Sequence, residues 1–182
     1  AYSDGAQRTD DLFDEFIRLV GEVRPRVFVA ENVSGLVKGT AKGYFIRVMQ
    51  GLKAKGYRVA CRVLDASWLG VPQSRQRTIF IGVREDLGRQ PVYPKPFPHR
   101  VTVAQALADE PSRHHNDYMS PDVSKYAIAD EWARTRVGKS SDRFFSLVRI
   151  DPEKPAPTVL ASHGGASIAG IMHWSECRKF EL

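Results

Sequence analysis

Val27-Phe28-Val29-Ala30-Glu31-Asn32-Val33 decides how the rest of the chain reads. Four apolar residues, two of them β-branched and one aromatic, run into a carboxylate and an amide. That is the pattern of a buried strand delivering polar side chains to one end of a sheet. In open α/β sheets, ligands collect at the carboxyl ends of the strands, so Glu31 and Asn32 stand where chemistry is expected. The competing reading is a surface glutamate at the start of a loop.

Upstream, Thr9 can cap a helix whose first turn holds Asp10 and Asp11, both favourable at the positive end of the helix dipole. Leu12, Phe13, Phe16, Ile17 and Val20 mark its apolar face, and Arg24-Pro25 ends it. Downstream, residues 34–39 read as a loop and Thr40 as the cap of a second helix. Its apolar face is Tyr44, Phe45, Val48, Met49 and Leu52, and Gly56 is its C′ residue. A strand over residues 57–64 follows, with Cys61 on the face of Tyr57, Val59 and Val63 as a small core residue. Helix, strand, helix, strand is the order of an α/β layer. A compact loop separates this strand from the next, residues 78–83, too little for a helical crossover, so the two are expected to be antiparallel in a mixed sheet.

Gln73-Ser74-Arg75-Gln76-Arg77 precedes that last strand and alternates its long polar side chains, which would put Gln73, Arg75 and Arg77 on one face of an extended segment. Two guanidinium groups beside a buried strand call for an anion or many acceptors. A phosphodiester fits, as does a nucleobase carbonyl oxygen. A solvated face is the alternative.

Pro91, Pro94, Pro96 and Pro98 suggest a stiff linker over residues 91–98, with a first domain at 1–90 and a second at 99–182. In the second, a short helix over 101–108 with Thr102 at its start and a helix over 127–137 are expected. Residues 144–150 are strand-like, and residues 155–165 read as strands and loops. The His114-His115-Asn116-Asp117 stretch lacks further ligands at metal spacing. Lys139 between Gly138 and Ser140 lacks the glycine spacing of a phosphate loop.

Composition narrows the partner. The 182 residues, 42% hydrophobic and 26% charged, hold no run near the length that spans a bilayer and no opening signal-peptide pattern, so a cytoplasmic protein is expected. With 27 basic against 21 acidic residues, a net charge of +6 and a pI near 9.5, a polyanion is the favoured partner, nucleic acid first, although a merely basic enzyme has the same balance. Cys61 and Cys177 are too few and too far apart for a disulfide framework or a metal cluster.

Taken in order, Arg24-Pro25-Arg26 with the strand ending Glu31-Asn32-Val33, then Gly56-Tyr57, then Gly70-Val71-Pro72-Gln73-Ser74-Arg75-Gln76-Arg77 leading into a strand, resemble the middle motifs of the C5-cytosine DNA methyltransferase family. Thr158-Val159 resembles the threonine-aliphatic pair of that family's target-recognition region. The resemblance implies a partial, mixed, Rossmann-like sheet of an S-adenosyl-L-methionine-dependent enzyme with a smaller, strand-rich recognition domain. It also implies duplex DNA as partner and a restriction-modification setting.

The family's glycine-rich cofactor motif, its proline-cysteine nucleophile and its closing motif do not occur here, since Cys61 follows Ala60 and Cys177 follows Glu176. The resemblance therefore implies a fragment, inactive alone, whose cofactor site is mostly outside it and whose strand at 27–30 would be an open edge prone to self-association. By resemblance, Glu31 meets N3 of a flipped-out cytosine and Arg77 its carbonyl oxygen. Arg75 and Gln73 support the backbone and active-site loops, Asn32 holds the strand end, and Thr158 contacts a phosphate. Thiolate attack at C6 activates C5 only if charge drawn into the ring is neutralised at N3, which a carboxylic acid can do. A DNA-binding module without chemistry and an RNA cytosine-5 methyltransferase remain rival readings of the same residues.

Overall fold

A computed structural model describes residues 9–37, 42–108, 124, 126–144, 146–159 and 170–180. The chain forms two compact units, one of Ala1–Leu64 with Gln76–Pro94, the other of Asp65–Arg75 with Lys95–Leu182. Thr40, the His114-to-Asp117 stretch and residues 160–165 lie outside the described residues.

In the first unit, α1 (Thr9–Val23) turns Phe13, Phe16, Ile17 and Val20 inward at the i, i+3, i+4, i+7 spacing of one helical face. Leu12 is a correction: one position off that stripe, it is 70% exposed. The helix ends where expected, with the Arg24 amide on the Val20 carbonyl and Arg24 at a φ of 47° in front of Pro25. Helix α2 (Lys42–Ala54) buries Val48 and Leu52 fully, and Gly56 at a φ of 83° closes it by donating to the Lys53 carbonyl.

Three strands, β1 (Val27–Val33), β2 (Tyr57–Asp65) and β3 (Gln76–Arg84), form a sheet in the order β1-β3-β2. β3 runs antiparallel to β1, from Val27 opposite Val83 to Val33 opposite Arg77. The core of Phe13, Val20, Phe28, Val48, Leu52, Tyr57 and Phe80 joins both helices to one face of the sheet. The ring pairs Phe16–Phe28 and Phe13–Phe80, each with centroids 5.5 Å apart, carry much of that packing. The expectation of a buried strand at β1 holds only for this face. Val27, Val29 and Val33, which alternate to the other side, are 50%, 62% and 59% exposed, because the unit's helices cover only the Phe28 side.

Cys61 packs against the same core, and burial pushes its thiol up to about 11. In the proline-rich stretch, Tyr93 is buried and its hydroxyl meets the carbonyls of Ala60 and Ile79 at 2.9 and 2.8 Å.

The second unit contains α3 (Val103–Ala108), α4 (Ile128–Arg134) and a small sheet of β4 (Lys139–Ser140), β5 (Val148–Arg149) and β6 (Ile171–Met172) in chain order. Thr102 caps α3 in a reciprocal box: its hydroxyl accepts from the Gln105 amide while the Gln105 side chain accepts from the Thr102 amide. α4 is shorter than the expected 127–137 because Thr135 turns extended at its end and Gly138, at a φ of 80°, reverses the chain. The strand expected over 144–150 shrinks to β5, since the Leu147 amide folds back on the Phe144 carbonyl as a turn. Arg149 is half-buried with its guanidinium 4.1 Å above the Trp132 ring, and it donates to the carbonyls of Trp174, Thr135 and Trp132. No helix among the described residues is long and apolar enough to cross a membrane.

Candidate active site

β1 continues through Glu31 to Val33, so Glu31 rides on the strand itself, at its carboxyl end. In the β1–β3 register Val33 faces Arg77 and Glu31 faces Ile79, which makes Glu31 and Arg77 diagonal neighbours on one face of the sheet. Their side chains meet there, Arg77 Nε to Glu31 Oε1 at 2.6 Å, with Glu31 53% and Arg77 24% exposed. Arg77 Nη1 also donates to the carbonyl of Gln76. The pair stands on the side of β1 that bears the exposed Val29 and Val33.

The end of the strand is held from both sides. Asn32 Oδ1 accepts from the Val33 amide at 2.7 Å, and the fully buried Thr78 donates its hydroxyl to the Val33 carbonyl at 3.2 Å. Sequence reasoning singled out Asn32 and missed Thr78. The signal for Thr78 was its register, opposite Asn32 at the start of a central strand, and this needs the pairing to be known.

Gln73 and Arg75 belong to the other unit. They precede β3, whose first residue is Gln76. The loop begins with a short 3-10 turn, Ala66–Leu69, capped by Asp65 accepting from the Ser67 amide and ended by Gly70 at a φ of 88°. Its base is closed by the Ala66 amide on the Arg75 carbonyl. A Cβ at Gly70 would approach the Phe97 ring to 2.8 Å, so glycine is required there for both backbone and space. Gln73 bridges Ala156 in parallel, and Thr158 donates its hydroxyl to the Ser74 carbonyl at 3.2 Å. That pairing spans too much sequence to be read locally.

The sequence profile of the C-5 cytosine-specific DNA methylases matches residues 2–143. The chain belongs to that family. Its curated relatives include the type II methyltransferase M.BspRI of Lysinibacillus sphaericus, 37% identical over 165 residues, covering 83% of this chain and 37% of that protein. M.XorII of Xanthomonas oryzae pv. oryzae is 34% identical over 173 residues, 87% of this chain and 40% of the relative. This C5 methylase chain thus spans well under half of either relative. Among solved structures, an E. coli prophage protein described as a DNA modification methyltransferase superposes with a TM-score of 0.68 at 21% identity, covering 94% of this chain and 60% of its own, a likeness of fold.

Within the methylase chain, the described residues do not fit a cofactor cradle for S-adenosyl-L-methionine. The glycines at positive φ, Gly56, Gly70, Gly88 and Gly138, end helices and turns instead of opening a strand-to-helix phosphate or adenosyl loop. No group of three or more His, Cys, Asp or Glu among the described residues could hold a metal ion.

Proposed function

We propose that this chain carries the base-handling part of a DNA (cytosine-5-)-methyltransferase of the restriction-modification type. It acts on a cytosine flipped out of duplex DNA, in the cytoplasm of a bacterial host. The observation that carries this reading is the Glu31–Arg77 pair, 2.6 Å apart at the carboxyl end of β1. Cytosine presents N3 and O2 side by side as acceptors; the guanidinium donates to one as it stands, and the carboxylate donates to the other once it takes a proton from solvent as Arg77 leaves it. The base enters by exchanging the Glu31–Arg77 contact for one contact to each group.

Arg77 then donates to O2 and Glu31 holds a proton at N3. When a thiolate adds to C6, electron density withdrawn into the ring collects at N3 and O2, where these two groups neutralise it, and C5 becomes the nucleophilic carbon. S-adenosyl-L-methionine would supply the electrophilic methyl group, and no residue of this chain is assigned to hold it. Cys61 packs in the core with its thiol pushed up, so it is not assigned the nucleophile's role. Asn32 fixes the strand end that presents Glu31, and Gln73 with Arg75 supports the loop beside the DNA backbone.

The test is methyl transfer by the protein from its full reading frame, supplied with methyl-labelled S-adenosyl-L-methionine and either duplex DNA or structured RNA. Label recovered as 5-methylcytosine in the duplex is the expected result. Label only in RNA, or DNA binding without label, contradicts the proposal.

A further inference from the structure

Cations gather at the end of the first unit's sheet that lies away from Glu31. There the Arg84 amide donates to the Arg26 carbonyl at 3.0 Å, the Glu85 amide to the Gly56 carbonyl at 3.0 Å and the Tyr57 hydroxyl to the Pro25 carbonyl at 2.7 Å. The starts of β1 and β2, the end of β3 and the carboxyl ends of α1 and α2 therefore meet. Arg24, Arg26, Lys53 and Lys55 are exposed at this end, and none of the four has a carboxylate partner among the described residues. The Lys55 stem lies across α1, where a Cβ on Gly21 would come within 2.8 Å of its Cδ. Of the carboxylates nearby, Asp86 is held by Arg84 at 2.7 Å and Glu22 by Arg18 at 2.7 Å, which leaves Glu85 against four cations.

Cations suit the carboxyl ends of helices, which accounts for Lys53. It does not account for Arg26, which leads into a strand, or for Arg24, whose φ of 47° is the left-handed conformation that glycine adopts without the Cβ cost. An arginine kept where the backbone favours glycine points to a use for its side chain. We propose that this end of the sheet is a second DNA contact: Arg24, Arg26, Lys53 and Lys55 grip the phosphates of a duplex segment without reading its sequence. Arg26 precedes Glu31 by five residues along β1, about 17 Å at a strand rise of ~3.4 Å, and the two stand at opposite ends of the sheet. A duplex that is stiff over ~150 base pairs does not turn round that distance, so the gripped segment is a second one beside the segment whose base is flipped. The choice of DNA as the polyanion rests on the methyltransferase reading, whereas the charge cluster does not.

Sedimentation of the full-length protein at low salt, with a short labelled duplex in excess, should find two duplexes per chain, and one in the combined variant Arg26→Gln, Lys53→Gln, Lys55→Gln. The slope of log K against log salt for the second duplex should shrink by about one in Arg24→Gly and by about three in the combined variant. Arg24→Gly should keep a urea midpoint at or above the parent's, because the left-handed turn no longer carries a Cβ, and both variants should methylate a short duplex at the parent's single-turnover rate. One duplex per parent chain overturns the proposal, and so do two per chain of the combined variant. A lower urea midpoint in Arg24→Gly with an unchanged salt slope also overturns it, since the arginine is then a structural residue. Tighter binding of polyglutamate than of duplex at equal charge concentration overturns it in favour of an acidic protein. If the parent transfers no methyl group, the methyltransferase reading fails, and the duplex count still decides the grip.

Discussion

At position 77 one guanidinium serves both a carboxylate and a backbone carbonyl, whereas Arg75, two residues earlier, has no carboxylate partner among the described residues. The two arginines should therefore separate in experiment. Arg77→Ala is expected to weaken the fluorescence signal of a flipped 2-aminopurine placed at the target base. Arg75→Ala should act through the DNA backbone, reducing the slope of log K against log salt by about one if a phosphate contact is lost. Identical salt slopes and flipping signals for both variants and the parent would contradict this division.

Cys61 gives a second test at the same scale. Burial disfavours its thiolate in the fold, so the protonated thiol is the stabilised form. That contribution is complete below the ordinary thiol value and is lost as pH rises toward about 11. Alkylation of Cys61 at pH 8 should be roughly a hundredfold slower than that of a free thiol, since the thiolate is the reactive form. Alkylation at the free-thiol rate would contradict its place in the core. The strand-end position of Glu31 was legible in the sequence because four apolar residues running into a carboxylate specify it locally. Its contact with Arg77 depends on strand register and was not anticipated, since the family resemblance set the two residues only against separate atoms of one cytosine.

Among the elements, the register of β1 on β3 depends on one glycine. Phe28 faces Gly82 across the ladder, and a Cβ at Gly82 would overlap the Phe28 ring. Gly82→Ala should cost about 1–3 kcal/mol, the usual range for overpacking, read as a lower urea midpoint at unchanged m. An unchanged midpoint would mean that Phe28 lies elsewhere. Arg84 ends β3 and holds the start of β1: its Nη1 donates to the Arg24 carbonyl at 2.6 Å, and its amide donates to the Arg26 carbonyl. The hydrogen bond from Arg84 lowers the pKa of the Asp86 carboxyl, so this contribution is present above the ordinary carboxylate range and fades as pH falls through the depressed value.

Elements with strong periodicity were legible in advance. α1, α2 and the three long strands fall where apolar spacing and the Pro and Gly punctuation put them. The second unit was less so. Its strands are two residues long, too short to carry a period, and its α4 is ended by the Thr135 and Gly138 backbone geometry, not by an apolar boundary.

For the molecule as a whole, charge favoured a polyanionic partner, and the alternation of helix and strand pointed to the α/β class. The loop of Gln73 pairing with Ala156 could not be anticipated, because nothing in either local stretch specifies the other. Among the described residues β1 is an edge strand, and its solvent-facing side shows Val27, Val29 and Val33. Such an edge is a template for strand addition. The 182-residue chain by itself is therefore expected to sediment with a concentration-dependent mass, and Val29→Lys, which places a charge on that strand, should reduce the effect. A single monomeric species across the concentration series would contradict this, as would micromolar binding of S-adenosyl-L-methionine by that monomer.

The proposed activity turns on Glu31, beside Arg77, holding a proton at N3 of the flipped cytosine. Glu31→Gln in the full-length protein tests it most directly, with single-turnover methyl transfer and duplex-DNA affinity measured side by side. A DNA Kd within about twofold of the parent and a methyl-transfer rate lower by about 10²–10⁴, the usual worth of one acid-base group, are expected. A rate equal to the parent's would contradict it.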